Sequence, residues 1–318
     1  MIKTALVIGP LGQDGSFLTD ILLENQYKVI GAIRTGTQKS RVEAFKAQRN
    51  TTLIEVDILD KQIFTDFLQS YNFDTIYNFS GVTDIFNPYD NCFEIVNSIV
   101  APTAIILDHI KQHNNIKYFT SSSSLIYDSN IKGSIDEESL KRPQYPYAIG
   151  KLAADNLIAE YRDAFKLFCC SGIYFNHDSE RRGTNFFTRK VTSAVAKIYF
   201  GQQKLLQLGN INAYKDIGYA QEYAHAAYAM LDAAAPDSYN IGSGRYMFLQ
   251  EFVALCFDHV GLNWEEHTAY EFSTHANYGH LANADKINKS LQWKSSYGIS
   301  NLAKIMMNYE LKNYAKSI

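Results

Sequence analysis

Along the first half of the chain, short runs of β-branched and apolar residues alternate with longer stretches whose apolar positions recur every three or four residues. The short runs predict strands near residues 3–8, 28–33, 52–56, 74–79, 116–121 and 167–174. The longer stretches predict helices over 16–25, 60–70, 91–112 and 148–165. This rhythm favours right-handed β-α-β units and hence a parallel sheet. After Asn176 it breaks, and segments 177–205 and 243–318 carry helices and short strands without regular alternation.

The first strand run ends in Gly9-Pro10-Leu11-Gly12-Gln13-Asp14-Gly15, a G-x-x-G-x-x-G spacing that opens directly into a helical pattern. Gly9 permits a tight strand-to-helix turn, Gly12 lets a pyrophosphate approach the backbone, and Gly15 lets the helix pack closely. The helix start offers free N–H groups and a favourable dipole to the phosphate charge. Strand, glycine turn and helix in this order predict an α/β fold: a Rossmann-like doubly wound parallel sheet with a smaller C-terminal α/β substrate-binding lobe. The expected division is a dinucleotide-binding domain over 1–175, to which 209–242 returns, and a substrate lobe formed by 176–208 and 243–318.

The second strand ends at Arg34, where NAD-preferring folds of this kind place a carboxylate for the ribose 2′-hydroxyl. A guanidinium there favours a 2′-phosphate, so NADP is the expected cofactor; the competing reading is a solvated arginine at a strand end. Asp57 and Ile58 follow the third strand, at the expected adenine end. Ser80 follows the fourth, on the expected pyrophosphate and nicotinamide path. The cofactor candidates are therefore Gly9, Gly12, Gln13, Asp14, Gly15, Arg34, Asp57, Ile58 and Ser80, with Tyr147 and Lys151.

Composition narrows the partners. The 318 residues are 46% hydrophobic and 20% charged, with formal net charge -3, and no basic block marks a nucleic-acid surface. No window approaches ~18 uninterrupted apolar residues, so no membrane partner is expected. The N-terminus runs straight into a strand, and a cytoplasmic location is expected. Cys92, Cys169, Cys170 and Cys256 lack metal-ligand spacing, so no metal is expected; Cys169 and Cys170 read as buried thiols. The 22 tyrosines and 19 phenylalanines read as packing.

Tyr147-Ala148-Ile149-Gly150-Lys151 puts a phenol and an ammonium at i and i+4, on one helix face. A lysine beside a phenol lowers the phenol's pKa, so the tyrosine can exchange a proton while hydride moves. Upstream, Ser121 to Ser124 end a strand with hydroxyls placed to hold a substrate oxygen.

These features, with Gly12-Gln13-Asp14-Gly15-Ser16, Pro146-Tyr147-Ala148, Phe175 to Gly183, Thr188-Arg189-Lys190 and Leu208 to Ala213, resemble the extended short-chain dehydrogenases/reductases. Within that group the chain resembles the GDP-mannose 4,6-dehydratase family over nearly its whole length. The resemblance implies Ser123, Tyr147 and Lys151 as catalytic residues, and Asn176 and Lys190 as holders of the nucleotide diphosphate. It also implies that Arg41 lies in a loop shared between subunits near a neighbour's NADP, with a homodimer or homotetramer as the assembly. The substrate candidates are Thr83, Asp84, Ser124, Leu125, Asn176, Arg182, Lys190 and Lys215, and the substrate a nucleotide-diphosphate sugar, GDP-linked by the resemblance.

The departures from that family fall at the reacting end. Two residues after its catalytic hydroxyl the family carries a glutamate that serves the loss of water across C5 and C6; here the position is Leu125. A leucine neither removes a C5 proton nor protonates a C6 hydroxyl. The family's Gln-Ser-His reads Val82-Thr83-Asp84, its Arg-Pro-x-Glu reads Ser273-Thr274-His275-Ala276, and an arginine has become Lys215. Four readings stay open: a 4-keto-sugar reductase, a lyase with Asp84 or Asp128 as substitute acid/base, an epimerase, and a cofactor-binding sensor without turnover. The reductase is favoured, because losing the elimination acid/base leaves a complete redox set.

Overall fold

The computed structural model describes residues 2–82 and 89–315. The first half reads β1 (Thr4–Ile8), α1 (Gln13–Glu24), β2 (Lys28–Ile33), α2 (Lys39–Gln48), β3 (Thr52–Glu55), α3 (Lys61–Gln69), β4 (Thr75–Asn78) and α4 (Cys92–Gln112). It continues with β5 (Lys117–Ser123), β6 (Ser134–Ile135), α5 (Pro146–Phe165), β7 (Cys169–Tyr174) and β8 (Asn176–Asp178). Then follow α6 (Phe187–Tyr199), β9 (Leu206–Leu208), β10 (Ala213–Tyr219), α7 (Ala220–Asp232), β11 (Tyr239–Ile241), β12 (Tyr246–Phe248) and α8 (Leu249–Asp258). The chain closes with α9 (Trp264–His267), β13 (Thr268–Tyr270), β14 (Asn277–Tyr278), β15 (Leu281–Ala282), α10 (Asp285–Leu291) and α11 (Ile299–Ala315).

The main sheet has seven strands in the order β11-β7-β5-β4-β1-β2-β3, and every pairing in it is parallel. The order reverses between β1 and β4, so a crevice opens at the carboxyl ends of those two strands. This is the doubly wound sheet that the alternating pattern predicts. Successive residues of β1 feed opposite faces: Leu6 and Ile8 pack with Phe64, Ile106 and Ile158 of α3, α4 and α5, while Ala5 and Val7 pack with Phe17, Leu18, Tyr223 and Met230 of α1 and α7. The second apolar cluster continues without a break into Val191, Val195, Phe252, Phe257, Met306 and Met307 of α6, α8 and α11. The C-terminal segments therefore share one core with the sheet.

Local chemistry moves several element ends from their expected places. Helix α1 starts at Gln13 rather than residue 16, because Gly12 caps it and Ser16 N–H already bonds the Gly12 carbonyl at 3.0 Å. Helix α5 starts at Pro146, since the first helical position needs no N–H and suits the fixed proline φ. Asp60 caps α3, accepting from Ile63 N–H at 2.9 Å. Helix α4 is the one helix among the described residues long and apolar enough to cross a bilayer by length and composition. Here Ile95 and Ile99 pack against Ala154 of α5, and Ile106 and Ile110 lie in the core beneath the sheet.

Beside the sheet, β10 pairs with β12, β14 and β8, forming a small sheet next to the end of β7. Asp216 on β10 is buried and accepts from Ser243, Gly244 and Ala282 N–H groups at 2.9–3.0 Å, tying two segments to that strand. A second buried hub is Arg189, whose Nε donates to Glu310 of α11 at 2.8 Å and whose Nη1 reaches the carbonyls of Glu180 and Arg182.

Candidate active site

The glycine turn is shaped by steric need. Gly9 has φ +81, in the left-handed region, and a Cβ on Gly15 would stand 2.3 Å from the Gly9 carbonyl oxygen. Only glycine at 15 lets α1 close on the turn. Gln13 is turned inward: its Oε1 accepts from Ser179 Oγ at 2.8 Å and its Nε2 donates to the His177 carbonyl at 3.3 Å. Asp14, half-buried, meets His177 Nε2 at 2.9 Å.

Two cavities flank the crevice and meet at Ser80 and Gly81. The first, about 490 Å³, lies along the β2 and β3 ends and is lined by Gly9, Arg34, Thr35, Asp57, Ile58 and Ser80, with Glu94 and Ser98 of α4. The second, about 520 Å³, is lined by Ser121 to Leu125, Tyr147, Lys151, Asn176, Arg182, Lys190 and Lys215, with Asp14, His177 and Asp178. The structure thus brings Ser123, Ser124, Leu125, Tyr147, Lys151, Asn176, Arg182, Lys190 and Lys215 around one space. Gly9, Arg34, Asp57, Ile58 and Ser80 gather around the adjoining one. Of the remaining cofactor candidates, Asp14 faces the second cavity, whereas Gly12, Gln13 and Gly15 line neither and build the turn beneath. Thr83 and Asp84 lie outside the described residues.

Lys151 is buried on α5 and donates to the Ser121 carbonyl at 2.6 Å, and its Nζ lies 5.7 Å from the Tyr147 ring centre. Burial pulls its pKa down to about 8, against the opposing pull of the Asp14 charge. The helix is held here by close approach to α4: a Cβ on Gly150 would stand 3.3 Å from Ile99 Cδ1. Ser123 ends β5, and its Oγ accepts from Leu125 N–H at 3.3 Å, which folds Ser124–Ile126 into a single 3-10 turn. That turn leaves Leu125 37% exposed, so an alkyl side chain borders the second cavity where the resemblance calls for a glutamate.

The opposite wall is charged. Burial favours neutral Asp14, but His177 and Arg182 outweigh it and hold the carboxyl below its usual value. Burial raises Asp178, and Arg182, 3.2 Å away, opposes that rise. Arg182 also stacks its guanidinium on the Phe186 ring at 3.8 Å. Burial lowers Lys215, whose stem lies against Gly279, where a Cβ would stand 2.8 Å from Lys215 Cδ. Asn176 Nδ2 donates to the Asp216 carbonyl at 3.3 Å.

The sequence pattern missed the part played by His177. Its Nδ1 lies 2.8 Å from the Phe175 carbonyl and its ring stacks on Tyr223 at 4.7 Å. Its carboxylate partner is 163 positions away, so no local spacing marks the pair. Asp128, considered as a substitute acid/base, lines neither cavity. Its carboxylate accepts from Asn130 N–H and Nδ2 at 2.9 Å and pairs with Arg142 at 3.7 Å. The Ser273 to Ala276 loop, exposed from Thr274 onward, also lies outside both cavities.

Comparison with known proteins agrees with this geometry. A family model described as GDP-mannose 4,6 dehydratase matches residues 6–306. GDP-mannose 4,6 dehydratase 1 of Arabidopsis thaliana is 34% identical over 333 residues, spanning 98% of this chain and 90% of its own. Among solved structures, a UDP-glucose 4-epimerase from Thermotoga maritima with UDP-glucose superposes with TM-score 0.85 at 17% identity, covering 98% of this chain and 99% of that one. RMD from Pseudomonas aeruginosa complexed with NADPH superposes with TM-score 0.82 at 18% identity, with 98% and 99% covered. At such identities the two structures speak for the fold alone, whereas the family match runs from β1 into α11. On that match the chain belongs to the GDP-mannose 4,6 dehydratase family, a group of nucleotide-sugar-modifying short-chain dehydrogenases/reductases.

Proposed function

We propose that the protein is an NADP-dependent reductase that delivers hydride to C4 of a nucleotide-linked 4-keto-sugar, with a GDP-sugar as the first candidate. One observation carries the choice of reaction: Ser123, Tyr147 and Lys151 share a cavity with Leu125, and the carboxylates among that cavity's described lining residues, Asp14 and Asp178, are both paired across its far wall. A redox set is present there, and a free carboxylate for water loss is not among those residues.

The residues fit a dinucleotide. The glycine turn leaves no room for a Cβ at position 15, and the first cavity joins the second at Ser80 and Gly81. Gly9, Arg34, Asp57, Ile58 and Ser80 would hold the nucleotide, and when bound it supplies the hydride. The work of the chain's own residues follows from their positions. Ser123 Oγ holds the C4 oxygen, and the Tyr147 phenol gives that oxygen its proton as the ketone becomes an alcohol. Lys151, charged, stabilises the phenolate left behind. Asn176, Arg182, Lys190 and Lys215 supply donors and positive charge suited to a diphosphate. A cytoplasmic, homo-oligomeric enzyme remains the accompanying expectation.

The direct test incubates the protein with NADPH and a GDP-4-keto-6-deoxy-sugar, following NADPH absorbance and product mass. NADPH consumption with a mass gain of two hydrogens supports the reading; a stereoisomer formed without net NADPH use would replace it with an epimerase. The nucleotide is tested separately by thermal shift with GDP, UDP, CDP and dTDP, because a ligand bound only to the folded state raises the melting temperature. GDP is expected to stabilise most, and stabilisation by UDP or CDP with none by GDP overturns that choice.

The Lys151 shift predicts a pH dependence. Its folded pKa of about 8 lies below the ordinary 10.5, so the ammonium is lost as pH rises through about 8 in the free protein. The kcat/KM profile is expected to fall on an alkaline limb near pH 8. In Lys151→Arg, whose charge persists across that range, the limb should move upward. A wild-type profile flat to pH 10 would remove Lys151 from the proton chemistry.

A further inference from the structure

The partners of His177 fix how many protons its ring carries. Nδ1 lies 2.8 Å from the Phe175 carbonyl oxygen, and Nε2 lies 2.9 Å from Asp14 Oδ1. Carbonyl and carboxylate oxygens only accept, so a neutral ring satisfies one of them and turns a bare lone pair on the other. A second proton therefore sits on the ring or on Asp14. Burial works against charge on Asp14, but His177 and Arg182 outweigh it, and Gln13 Nε2 donates to the same oxygen at 3.3 Å. Asp14 is thus the ionised partner, and His177 is an imidazolium bonded at both nitrogens. The ring has no room to turn away. It stacks on Tyr223 at 4.7 Å and meets the Tyr174 ring edge-on at 5.0 Å. Tyr223 fits there because Gly218 is the β10 neighbour of His177, and a Cβ on it would stand 2.4 Å from the Tyr223 ring.

The place of the ring in the chain gives its proton a task. His177 is the middle residue of β8, between Asn176 and Asp178, and Asp178 holds Arg182 at 3.2 Å. Two of the donors assigned to the diphosphate therefore move with this strand. The titratable and charged groups around the ring are Asp14 of α1, Tyr174 of β7, Tyr223 of α7 and, from its own segment, Asp178 and Arg182; Lys151 of α5 borders the same cavity. On β10 the Asp216 carboxylate is spent on Ser243, Gly244 and Ala282. Gln13 bonds the His177 carbonyl and the Ser179 hydroxyl whatever the charge of the ring, and Arg181 reaches Asp20 farther along α1 at 2.8 Å. The Asp14–His177 contact alone among these ties needs the second histidine proton.

We propose that His177 is a positioning residue that works in its doubly protonated form, latching β8 and the diphosphate donors it carries onto the start of α1. This rests on the nucleotide-sugar reading, with GDP as the probe. In nitrogen-15-labelled protein near neutral pH, both ring nitrogens of His177, assigned by their absence in His177→Phe, are expected to carry N–H. A ring with one N–H overturns the inference. His177→Phe keeps the stack on Tyr223 and deletes both bonds; its Kd for GDP, measured by calorimetry, should be roughly 10-fold weaker or more. Asp14→Asn is the rescue. Its amide donates to a bare Nε2, so the second N–H should vanish while the Kd for GDP stays within about threefold of wild type. Raising the pH until the ring signals report one N–H should weaken GDP binding in the wild type, and Asp14→Asn should not follow. Unchanged affinity in His177→Phe would leave the ring as packing and overturn the latch. Equal weakening in Asp14→Asn would assign the effect to the carboxylate and overturn it too. If the wild type binds no GDP, the GDP choice falls by itself, and UDP takes its place in the same titrations.

Discussion

Replacing Tyr147 by phenylalanine is expected to remove hydride transfer while leaving the nucleotide bound. The phenol lines the second cavity with Ser123 and Lys151, and its hydroxyl is the group assigned to protonate the C4 oxygen. The change deletes that one oxygen and keeps the ring, so the α4–α5 packing around Val82, Ile95, Ile99 and Ala154 is preserved. Loss of a positioned proton donor costs on the order of 10²–10⁴ in rate. Stopped-flow NADPH oxidation measures the rate, and nucleotide fluorescence measures binding. Transfer at the wild-type rate in Tyr147→Phe would mean that another group supplies the proton.

The second large effect concerns position 125. GDP-mannose incubated with the protein and NADP should yield no product lighter by one water, because elimination needs a base at C5 and an acid at C6. Leu125 supplies neither, and the carboxylates on the far wall are committed to His177 and Arg182. Leu125 is partly exposed on a single turn of 3-10 helix, so a longer polar side chain is accommodated without opening the core. Leu125→Glu is therefore expected to gain water loss, with a rise on the order of 10²-fold or more over wild type. Mass spectrometry of the sugar nucleotide reads both results. Robust dehydration by the wild-type protein, lost on Asp84→Asn, would establish the lyase reading instead.

The parts of the fold legible in the sequence were those whose signal is local. β1, β2, β4 and β7 are buried apolar runs, and the strand–turn–helix glycine spacing needs no distant partner to be recognised. Helix α2 escaped because its only buried side chain is Phe45; it is held by Arg41 and Arg49 rather than by an apolar stripe. The same distinction separates the site residues. Tyr147 and Lys151 lie one helical turn apart and announce themselves, whereas the Asp14–His177 pair exists only once β8 is laid beside the start of α1. Leu125 was legible only as a departure from the family pattern, since nothing about a leucine marks a site.

The strand order has a consequence for how the chain is made. Strand β7 is completed at Tyr174, yet the neighbour that covers its outer edge, Tyr239–Ile241, emerges only after α6, β9, β10 and α7 have been synthesised. Until then the nascent sheet ends in an apolar strand with an unpaired row of N–H and carbonyl groups, a template for pairing with another chain. The intervening segment also carries Val191, Val195, Tyr223 and Met230, which complete the apolar cluster on one face of that sheet. Release of a chain cut near residue 175 should thus give an aggregating fragment rather than a free-standing nucleotide-binding half.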